Sequence, residues 1–149
     1  MSTQWYQDVH PTKHFRLGTI KKDTKANEYI YLKGATQNLL GAWNTYDSVF
    51  ATTPLVANAV GPVAISMALN TSILNYSWYQ ISGINTIALA DVVSSTPTPL
   101  YIDDTQGQVD DLGVSGDWIS NAINAGASVS GVLTVQIDRP FVSNNGYLT

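Results

Sequence analysis

Five aspartates in the last third of the chain recur at seven-residue intervals, and their spacing makes them candidates for metal binding. They are Asp103, Asp104, Asp110, Asp111 and Asp117. Carboxylates in series suit calcium, but an EF-hand loop beginning at Asp103 would place Gly107 and Val114 where a side-chain oxygen and a terminal glutamate are required. The spacing therefore predicts aspartates that end strands and fill turns, with a non-standard calcium site between subunits as the alternative.

Two histidines, His10 and His14, with Asp8 close by, form the other pattern that could hold a metal. Imidazoles four residues apart can bind zinc when they share one face of a helix. No glutamate follows the first histidine, and the chain has no third histidine. The pattern therefore favours a solvated or subunit-contacting pair, and we predict neither a metal nor a cofactor.

The sequence lacks the residues that the common hydrolytic and phosphate-binding motifs require. Glu28 is the only glutamate, and aspartates adjacent in sequence point to opposite faces of a strand, so no carboxylate pair flanks a cleft. Residues 126–131 hold one residue too many for a nucleophile elbow, no phosphate-binding G-x-x-x-x-G-K occurs, and there is no cysteine. We predict that the chain is not an enzyme.

Four tryptophans and eight tyrosines stand among many Asn, Gln, Ser and Thr residues. The C–H faces of sugars stack on aromatic rings while their hydroxyls bond amides, so exposed aromatics beside amides would suit a carbohydrate. The same aromatic residues are also favoured in strands, cores and interfaces. The composition favours structural aromatics and leaves a carbohydrate- or receptor-binding module as the alternative.

The elements that must position these residues are short β-strands. Residues 17–21 and 28–33 are β-prone runs around the polar turn 23–27, which predicts a hairpin. Many short strands separated by Gly and Pro turns predict an all-β fold, a single compact β-sandwich or β-barrel-like domain.

Three further patterns predict individual strands. Alternation of larger apolar and small residues over 63–69 predicts a half-buried strand. Strand-like runs on either side of Gly83 predict two strands broken at that glycine. A last strand over 129–138 is predicted to stop at Arg139-Pro140, since proline cannot donate to a ladder.

The pattern divides the chain into three parts. Residues 1–16 follow neither a helical nor a strand period and contain the breaker His10-Pro11, so they are predicted to form an extended N-terminal arm. Residues 17–142 form the β domain, and residues 143–149 are a short C-terminal tail.

Charge is distributed unevenly. Residues 1–33 carry six of the seven cations and a net charge of +3, while the remainder carries −7. A basic arm on an acidic body suggests a charged partner. Direct binding of nucleic acid is not predicted, because the domain is acidic and its cations are neither dense nor interleaved with aromatics.

Between Asp47 and Asp91 lie 43 residues without a charge. The most apolar part is interrupted by Asn58, Gly61 and Pro62 and is shorter than the roughly 20 apolar residues a membrane span needs, so no membrane association is predicted. An uncharged segment of this kind favours strands buried in the domain or against other subunits. The absence of cysteine and of a secretory pattern at the start predicts maturation in a reducing cytosol.

Five segments, taken in order, resemble the small capsid decoration (cement) proteins of tailed bacteriophages. They are 29–34 (YIYLKG), 60–65 (VGPVAI), 76–81 (YSWYQI), 115–119 (SGDWI) and 135–141 (VQIDRPF). The resemblance covers about residues 17–142. It implies a structural virion protein that is made in the host cytoplasm and binds the major capsid protein on the outside of the head. It also implies a homotrimer that stabilises the capsid lattice; the alternative is a carbohydrate- or receptor-binding module of the virion.

The arm gives the candidate contact residues. Fully stretched, 16 residues reach roughly 50 Å, far enough to meet a neighbouring subunit or the shell beneath. We predict that Trp5, Tyr6 and Phe15 anchor in apolar recesses of the partner, while Lys13 and Arg16 pair with its carboxylates. On this interpretation, deleting residues 2–16 leaves the β domain folded and weakens attachment to capsids.

Overall fold

The chain folds into an antiparallel β-sheet, which confirms the all-β prediction. A computed structural model describes residues 4–34, 39–69, 75–114 and 117–143. The predicted tail from residue 144 onwards and residues 115 and 116 of the resembling segments lie outside these ranges. No helix in the described ranges has the length and apolarity that crossing a membrane requires.

A 3₁₀ turn, Trp5–Gln7, precedes eleven strands in the described residues. The strands are β1 Val9–His10, β2 Ile20–Lys22, β3 Glu28–Lys33, β4 Trp43–Tyr46, β5 Thr52–Pro54, β6 Gly61–Ser66, β7 Tyr76–Leu89, β8 Pro99–Ile102, β9 Val109–Asp110, β10 Trp118–Asn124 and β11 Val132–Val142. Their order across the sheet is β2-β3-β7-β6-β11-β10-β8-β9, with β1 paired to β7 and β4 joining β5 to β6. The sheet is not closed into a barrel, and its arrangement is that of a β-sandwich-like domain.

Strand β7 connects the two halves of the sheet. Its first half pairs with β3 and β6, and its second half pairs with β11. The change occurs around Gly83, whose φ of 108° is a conformation that side chains rarely adopt. The predicted break at this residue is therefore a local change of backbone inside one continuous strand.

The largest core lies between β4 and β6 on one side and β8 to β11 on the other. Its fully buried large side chains are Trp43, Leu55, Val63, Ile65, Leu100, Ile119, Leu133 and Ile137. A smaller core on β3, β6 and β7 contains Ile30, Leu32, Ala64, Tyr79 and Ile81. Strand β6 contributes to both cores, because Val63 and Ile65 face the first and Ala64 faces the second.

This double packing overturns the half-buried prediction for residues 63–69. Every residue from Val63 to Ala68 is buried, so the small residues face a second packed layer rather than solvent. Leu69, which was expected on the buried face, is 56% exposed beyond the end of the strand.

The last strand also differs from its prediction, because β11 continues through Arg139 and Pro140 to Val142. Arg139 has a φ of 49°, and the register between β10 and β11 shifts nearby. Such a bulge reverses which residues face inward. The buried positions accordingly change from Leu133, Val135 and Ile137 to residues 140 and 142.

The predicted hairpin is confirmed, with β2 and β3 paired so that Lys21 lies opposite Tyr29. The arm before it is not free in solution. Residues 5–7 form the 3₁₀ turn, and Val9 and His10 pair with Ser77 and Tyr76 of β7. The described part of the arm therefore crosses the sheet of its own domain.

Candidate functional site

The arm covers an aromatic face formed by β3 and β7. Alternation along β3 puts Tyr29 and Tyr31 on the side opposite Ile30 and Leu32, and Trp78 of β7 joins the two tyrosines. All three aromatic side chains are at least 98% buried. Without the arm this side of the sheet would have no covering layer.

Three aromatic side chains of the arm pack on this face. The Trp5 ring meets Trp78 edge-on with centroids 5.0 Å apart, and Phe15 meets Trp78 at 5.2 Å. Tyr6 stacks on Tyr29 with centroids 4.6 Å apart and ring planes 1° from parallel. Edge-to-face and stacked pairs of this kind each add about 0.5–1.5 kcal/mol beyond area burial.

A lysine of the hairpin joins the same cluster. The Lys21 ammonium lies 4.4 Å from the Trp5 ring centroid, 5.1 Å from that of Phe15 and 5.5 Å from that of Trp78. Cation–π attraction at this range is worth about 0.5–2 kcal/mol. Lys21 therefore connects both aromatic anchors of the arm to the body.

The two histidines fix the other end of the arm. His10 Nδ1 is 2.8 Å from the Tyr31 hydroxyl, which also accepts a 3.3 Å hydrogen bond from the His14 backbone N–H. The His10 and His14 rings stack with centroids 3.8 Å apart. The pair lies over Tyr31 of its own domain, with His10 partly buried and His14 exposed, so the prediction of a solvated pair holds for His14.

We expect the arm to dock less tightly as the pH falls. Burial and the neighbouring His14 lower the pKa of His10, and Asp8 only partly opposes them. As the pH falls, His10 is therefore protonated in the undocked arm before it is protonated in the docked arm. Docking weakens as the pH drops from about 6.5, the ordinary pKa of histidine, toward the lowered pKa of His10. Hydrogen exchange at residues 5–10 measured from pH 7.5 to 5 should show protection decreasing.

The matched variant is His14→Gln, which removes the second imidazole and keeps a polar side chain. It should reduce the pH dependence of protection, because burial, the larger cause of the lowered His10 pKa, remains, and it should leave the protection at pH 7.5 nearly unchanged. Protection that is equal at pH 7.5 and 5 in the wild type would contradict the role of the stacked pair.

The structure brings three of the five predicted contact residues together. Trp5 and Tyr6 are half-buried and Phe15 is 36% exposed, and all three lie on the aromatic face of their own chain. Lys13 and Arg16 are exposed, and neither forms an ion pair with any described residue. Their contact with a capsid or another subunit stays a prediction.

A cleft of about 480 Å³ opens beside the aromatic face. Most of its described lining comes from the start of the arm, the β2–β3 turn and β7, and Met67, which follows β6, completes it. Aromatic, amide, hydroxyl and ammonium groups in the lining belong to Tyr6, Gln7, Thr24, Lys25, Asn85 and Thr86. No motif in the sequence pointed to this cleft, because its walls come from positions up to about 80 residues apart.

Asp23 organises the turn on one side of the cleft. It accepts hydrogen bonds from the backbone N–H groups of Lys25 and Asn27, from the Asn27 amide and from the Tyr29 hydroxyl. Burial raises the pKa of Asp23, but the hydrogen bonds from Asn27 and Tyr29 outweigh it, so the pKa is lowered overall. Burial is the largest cause that raises the pKa of the Tyr29 hydroxyl, and the hydrogen bond to Asp23 is the next. The Tyr29 side chain that stacks on Tyr6 therefore stays a neutral phenol.

Two of the five aspartates of the last third act in turns, as predicted. Asp103 accepts from the Thr105 N–H and Asp110 from the Leu112 N–H, each two residues ahead. Asp111 and Asp117 instead accept hydrogen bonds from the distant backbone N–H groups of Ser94 and Asn58. Among the described residues, no three His, Cys, Asp or Glu side chains are grouped so that they could hold a metal ion.

Asp103 and Asp110 form a pair that spacing alone did not predict. Each residue is 7% exposed, and their carboxyl groups share a hydrogen bond across the β8–β9 connection. Burial, followed by this bond and the charge of Asp103, raises the pKa of Asp110 to about 7. Asp110 therefore retains its proton at mildly acidic pH.

Stability depends on pH in opposite directions at the two sites: a falling pH weakens arm docking through His10, whereas a rising pH lowers stability through Asp110. Between pH 4 and 7 the unfolded chain has lost the Asp110 proton while the folded chain keeps it, so this contribution to stability falls as the pH rises and is lost above about 7. Asp110→Asn mimics the protonated acid, and we expect it to raise the free energy of unfolding at pH 8 by about 1–2 kcal/mol. Urea denaturation at pH 5 and pH 8 measures the difference.

Asp104→Asn is the control, since Asp104 is exposed and adjacent in sequence. It should change stability by less than about 0.5 kcal/mol at either pH. A thermal midpoint that rises with calcium in the wild type, and no longer rises in Asp110→Asn, would instead support the calcium alternative.

Two exposed aromatic residues lie on the outer side of the second half of the sheet. Phe141 on β11 pairs with Pro62 of β6 and with Ser120 of β10, and Trp118, two residues from Ser120, pairs with Tyr101 of β8. Residues paired in this way share a face. Trp118 is 39% exposed and Phe141 is 41% exposed. We call Pro62, Tyr101, Trp118 and Phe141 the outer aromatic row.

Comparison with known proteins gives no relative: no protein-family model matches the chain, and no curated protein matches it.

Proposed function

We propose that the protein is a structural, non-catalytic virion protein that binds the major capsid protein on the outer surface of a phage head as a homotrimer. The observation that carries the proposal is the outer aromatic row, which offers Trp118 and Phe141 on a rigid sheet. Tryptophan and other aromatic side chains are enriched at the centres of protein interfaces. The resemblance of five ordered segments to capsid decoration proteins is the second support.

Charge supports the same proposal. Strand β2 ends the strand order on one side, with the exposed Lys25 in the turn that follows it, and β9 ends it on the other, with the exposed Asp104 in the connection that precedes it. Complementary ends of this kind suit head-to-tail contacts, which close into rings when the rotation permits. A trimer would place the cationic end of one copy against the anionic end of the next.

Electron microscopy of heads assembled with and without the protein tests the proposal. We expect additional trimeric density on the outer surface and heads that survive higher temperature. Trp118→Ser combined with Phe141→Ser should reduce occupancy at least tenfold, since two anchors of about 1–2 kcal/mol each are lost. Light scattering that returns a monomer mass both in solution and under assembly conditions would contradict the trimer.

Val49→Ser is the matched control, because Val49 is 68% exposed and lies outside the outer aromatic row. It should bind heads as the wild type does. Lys13→Glu and Arg16→Glu test the arm separately, and they should weaken attachment at low salt more than at high salt. Unchanged attachment of these charge variants across the salt range would show that the arm cations are merely solvated.

The alternative of a carbohydrate- or receptor-binding module was motivated mainly by the tryptophans. Trp43 and Trp78 are fully buried, and Trp5 lies within the aromatic cluster. A tryptophan platform for sugars is therefore reduced to Trp118. The polar cleft gives a different basis for saccharide binding.

A further inference from the structure

The cleft beside the arm has the dimensions and chemistry of a ligand site. Its volume of about 480 Å³ falls within the range of roughly 300–1,000 Å³ that is usual for small-molecule sites. Its walls come mainly from the arm, the β2–β3 turn and β7, all of which belong to the same packed unit. One chain therefore supplies all of the described lining residues.

Tyr6 supplies a fixed aromatic surface at the wall of the cleft. One side of its ring is held by the parallel stack on Tyr29, and Trp5 meets it edge-on at 5.5 Å. Tyr6 is half-buried and is one of the residues that line the cleft. A ring that is already fixed loses little conformational entropy when a flat apolar patch of a ligand stacks on it.

The polar groups of the cleft fall into two sets. The inner amides are used within the protein: Asn85 donates to Gln80 Oε1, and Gln80 donates to the carbonyls of Ser82 and Ile84. These bonds hold the floor rigid. They leave few inner amide groups for a ligand.

The outer polar groups are available. Thr24, Lys25 and Thr86 are exposed, and no described residue bonds their side chains. Gln7 uses its Oε1 to accept from the Gln4 N–H, which leaves the Gln7 amide N–H groups free. Hydroxyl, amide and ammonium groups around an aromatic surface form a mixed donor and acceptor set.

We propose that this cleft binds a neutral oligosaccharide, with a pyranose ring stacked on Tyr6 and its hydroxyls bonded to Thr24, Thr86 and Gln7. A sugar ring has both an apolar C–H face and a rim of hydroxyls, which matches an aromatic wall bordered by small polar groups. Phosphate ligands fit less well, because Lys25 is the only cation among the described lining residues and Asp23 lies close to it in the same turn. The proposal does not depend on capsid binding.

Nuclear magnetic resonance titration with maltotriose, cellotriose and tri-N-acetylchitotriose at up to 10 mM tests the proposal on the full chain. We expect at least one of the three to shift the backbone resonances of Tyr6, Gln7 and Thr24 in a saturable manner. Shifts confined to residues around Trp118, or no saturable shift with any of the three sugars, would overturn it.

A blocking variant separates binding in the cleft from binding elsewhere. Thr86→Arg puts a long side chain into the cleft from an exposed strand position, and we expect it to weaken binding at least tenfold without changing the thermal midpoint. Thr53→Arg, at an exposed position of β5 outside the cleft, is the matched control and should bind as the wild type does. Equal binding by both variants would overturn the assignment of the site.

The stacking step has its own test. Tyr6→Phe keeps the ring and should bind within about threefold of the wild type, whereas Tyr6→Leu removes the aromatic surface and should lose binding at least tenfold. Because Tyr6→Leu also affects arm packing, its hydrogen exchange at Val9 and His10 is compared with that of the wild type before binding is measured. Retained binding by a folded Tyr6→Leu protein would contradict the stacked pose.

Discussion

Replacing Trp5 with alanine is expected to lower the free energy of unfolding by about 2–3 kcal/mol. A fully buried tryptophan costs about 3–5 kcal/mol on truncation, and Trp5 is only half-buried. The lost contacts are the edge-on packing against Trp78 and Tyr29 and the attraction of the Lys21 ammonium. Chemical denaturation followed by far-ultraviolet circular dichroism measures the change.

Deletion of residues 2–16 is expected to cost more, about 4 kcal/mol or more, out of the 5–15 kcal/mol that is usual for a domain. It exposes Tyr29, Tyr31 and Trp78 together, and apolar patches of this kind promote aggregation. The sequence alone led to the opposite expectation, a β domain that stays folded without the arm. The packed aromatic face is the reason for the change.

Lys13→Ala is the control for both arm variants, because its side chain is exposed and has no ion-pair partner among the described residues. Its stability should stay within about 0.5 kcal/mol of the wild type. A deletion variant that unfolds at the wild-type denaturant concentration would show that the arm adds no stability to the sheet.

Short-range features were predictable from sequence because their cause is local. The β2–β3 hairpin follows from two β-prone runs and a turn whose Asp23 bonds the backbone two and four residues ahead. The turn role of Asp103 and Asp110 follows in the same way. A turn in which a side chain bonds the backbone two residues ahead is determined by a few adjacent residues, so it can be predicted from the sequence.

The packing of the arm on its own domain was not predicted, because this packing has no sequence period. Trp5, Tyr6 and Phe15 follow neither the 3.6-residue nor the two-residue pattern, since a 3₁₀ turn and a two-residue strand direct their rings to one face. The only sign in the sequence was the unusual number of aromatics in 29–31 and at 78, too many for one sheet face to leave uncovered. Tertiary packing, rather than local propensity, places the arm.

Long-range geometry explains the other differences. The bulge at Arg139 depends on how β10 and β11 pair. The alternation of residue types therefore predicted correctly which side chains of 133–137 are buried, but not which are buried after Arg139. The cleft joins residues near position 6 to residues near position 86, and no single segment contains its chemistry. Sequence patterns thus predicted the class of the fold better than its sites.

Gly41→Ala is expected to be among the most destabilising single substitutions in the described part of the chain, lowering the free energy of unfolding by about 3 kcal/mol or more. Gly41 has a φ of 83°, and an added Cβ would lie 2.0 Å from the Ile87 carbonyl oxygen. That oxygen belongs to backbone, so no side-chain rotation can relieve the clash. Gly41 also donates to Ser66 and accepts from Leu89, which fixes it against β7.

Gly126→Ala separates the clash from the backbone conformation. Gly126 has a φ of 140°, also in the region that favours glycine, but an added Cβ would meet nothing within 4 Å. Its substitution should therefore cost only the conformational strain, about 1 kcal/mol. Because Ile87 also lines the cleft, hydrogen exchange along 84–87 should rise in Gly41→Ala and not in Gly126→Ala. Equal losses of stability in the two variants would mean that φ alone, and not the approach of Gly41 to β7, makes glycine necessary.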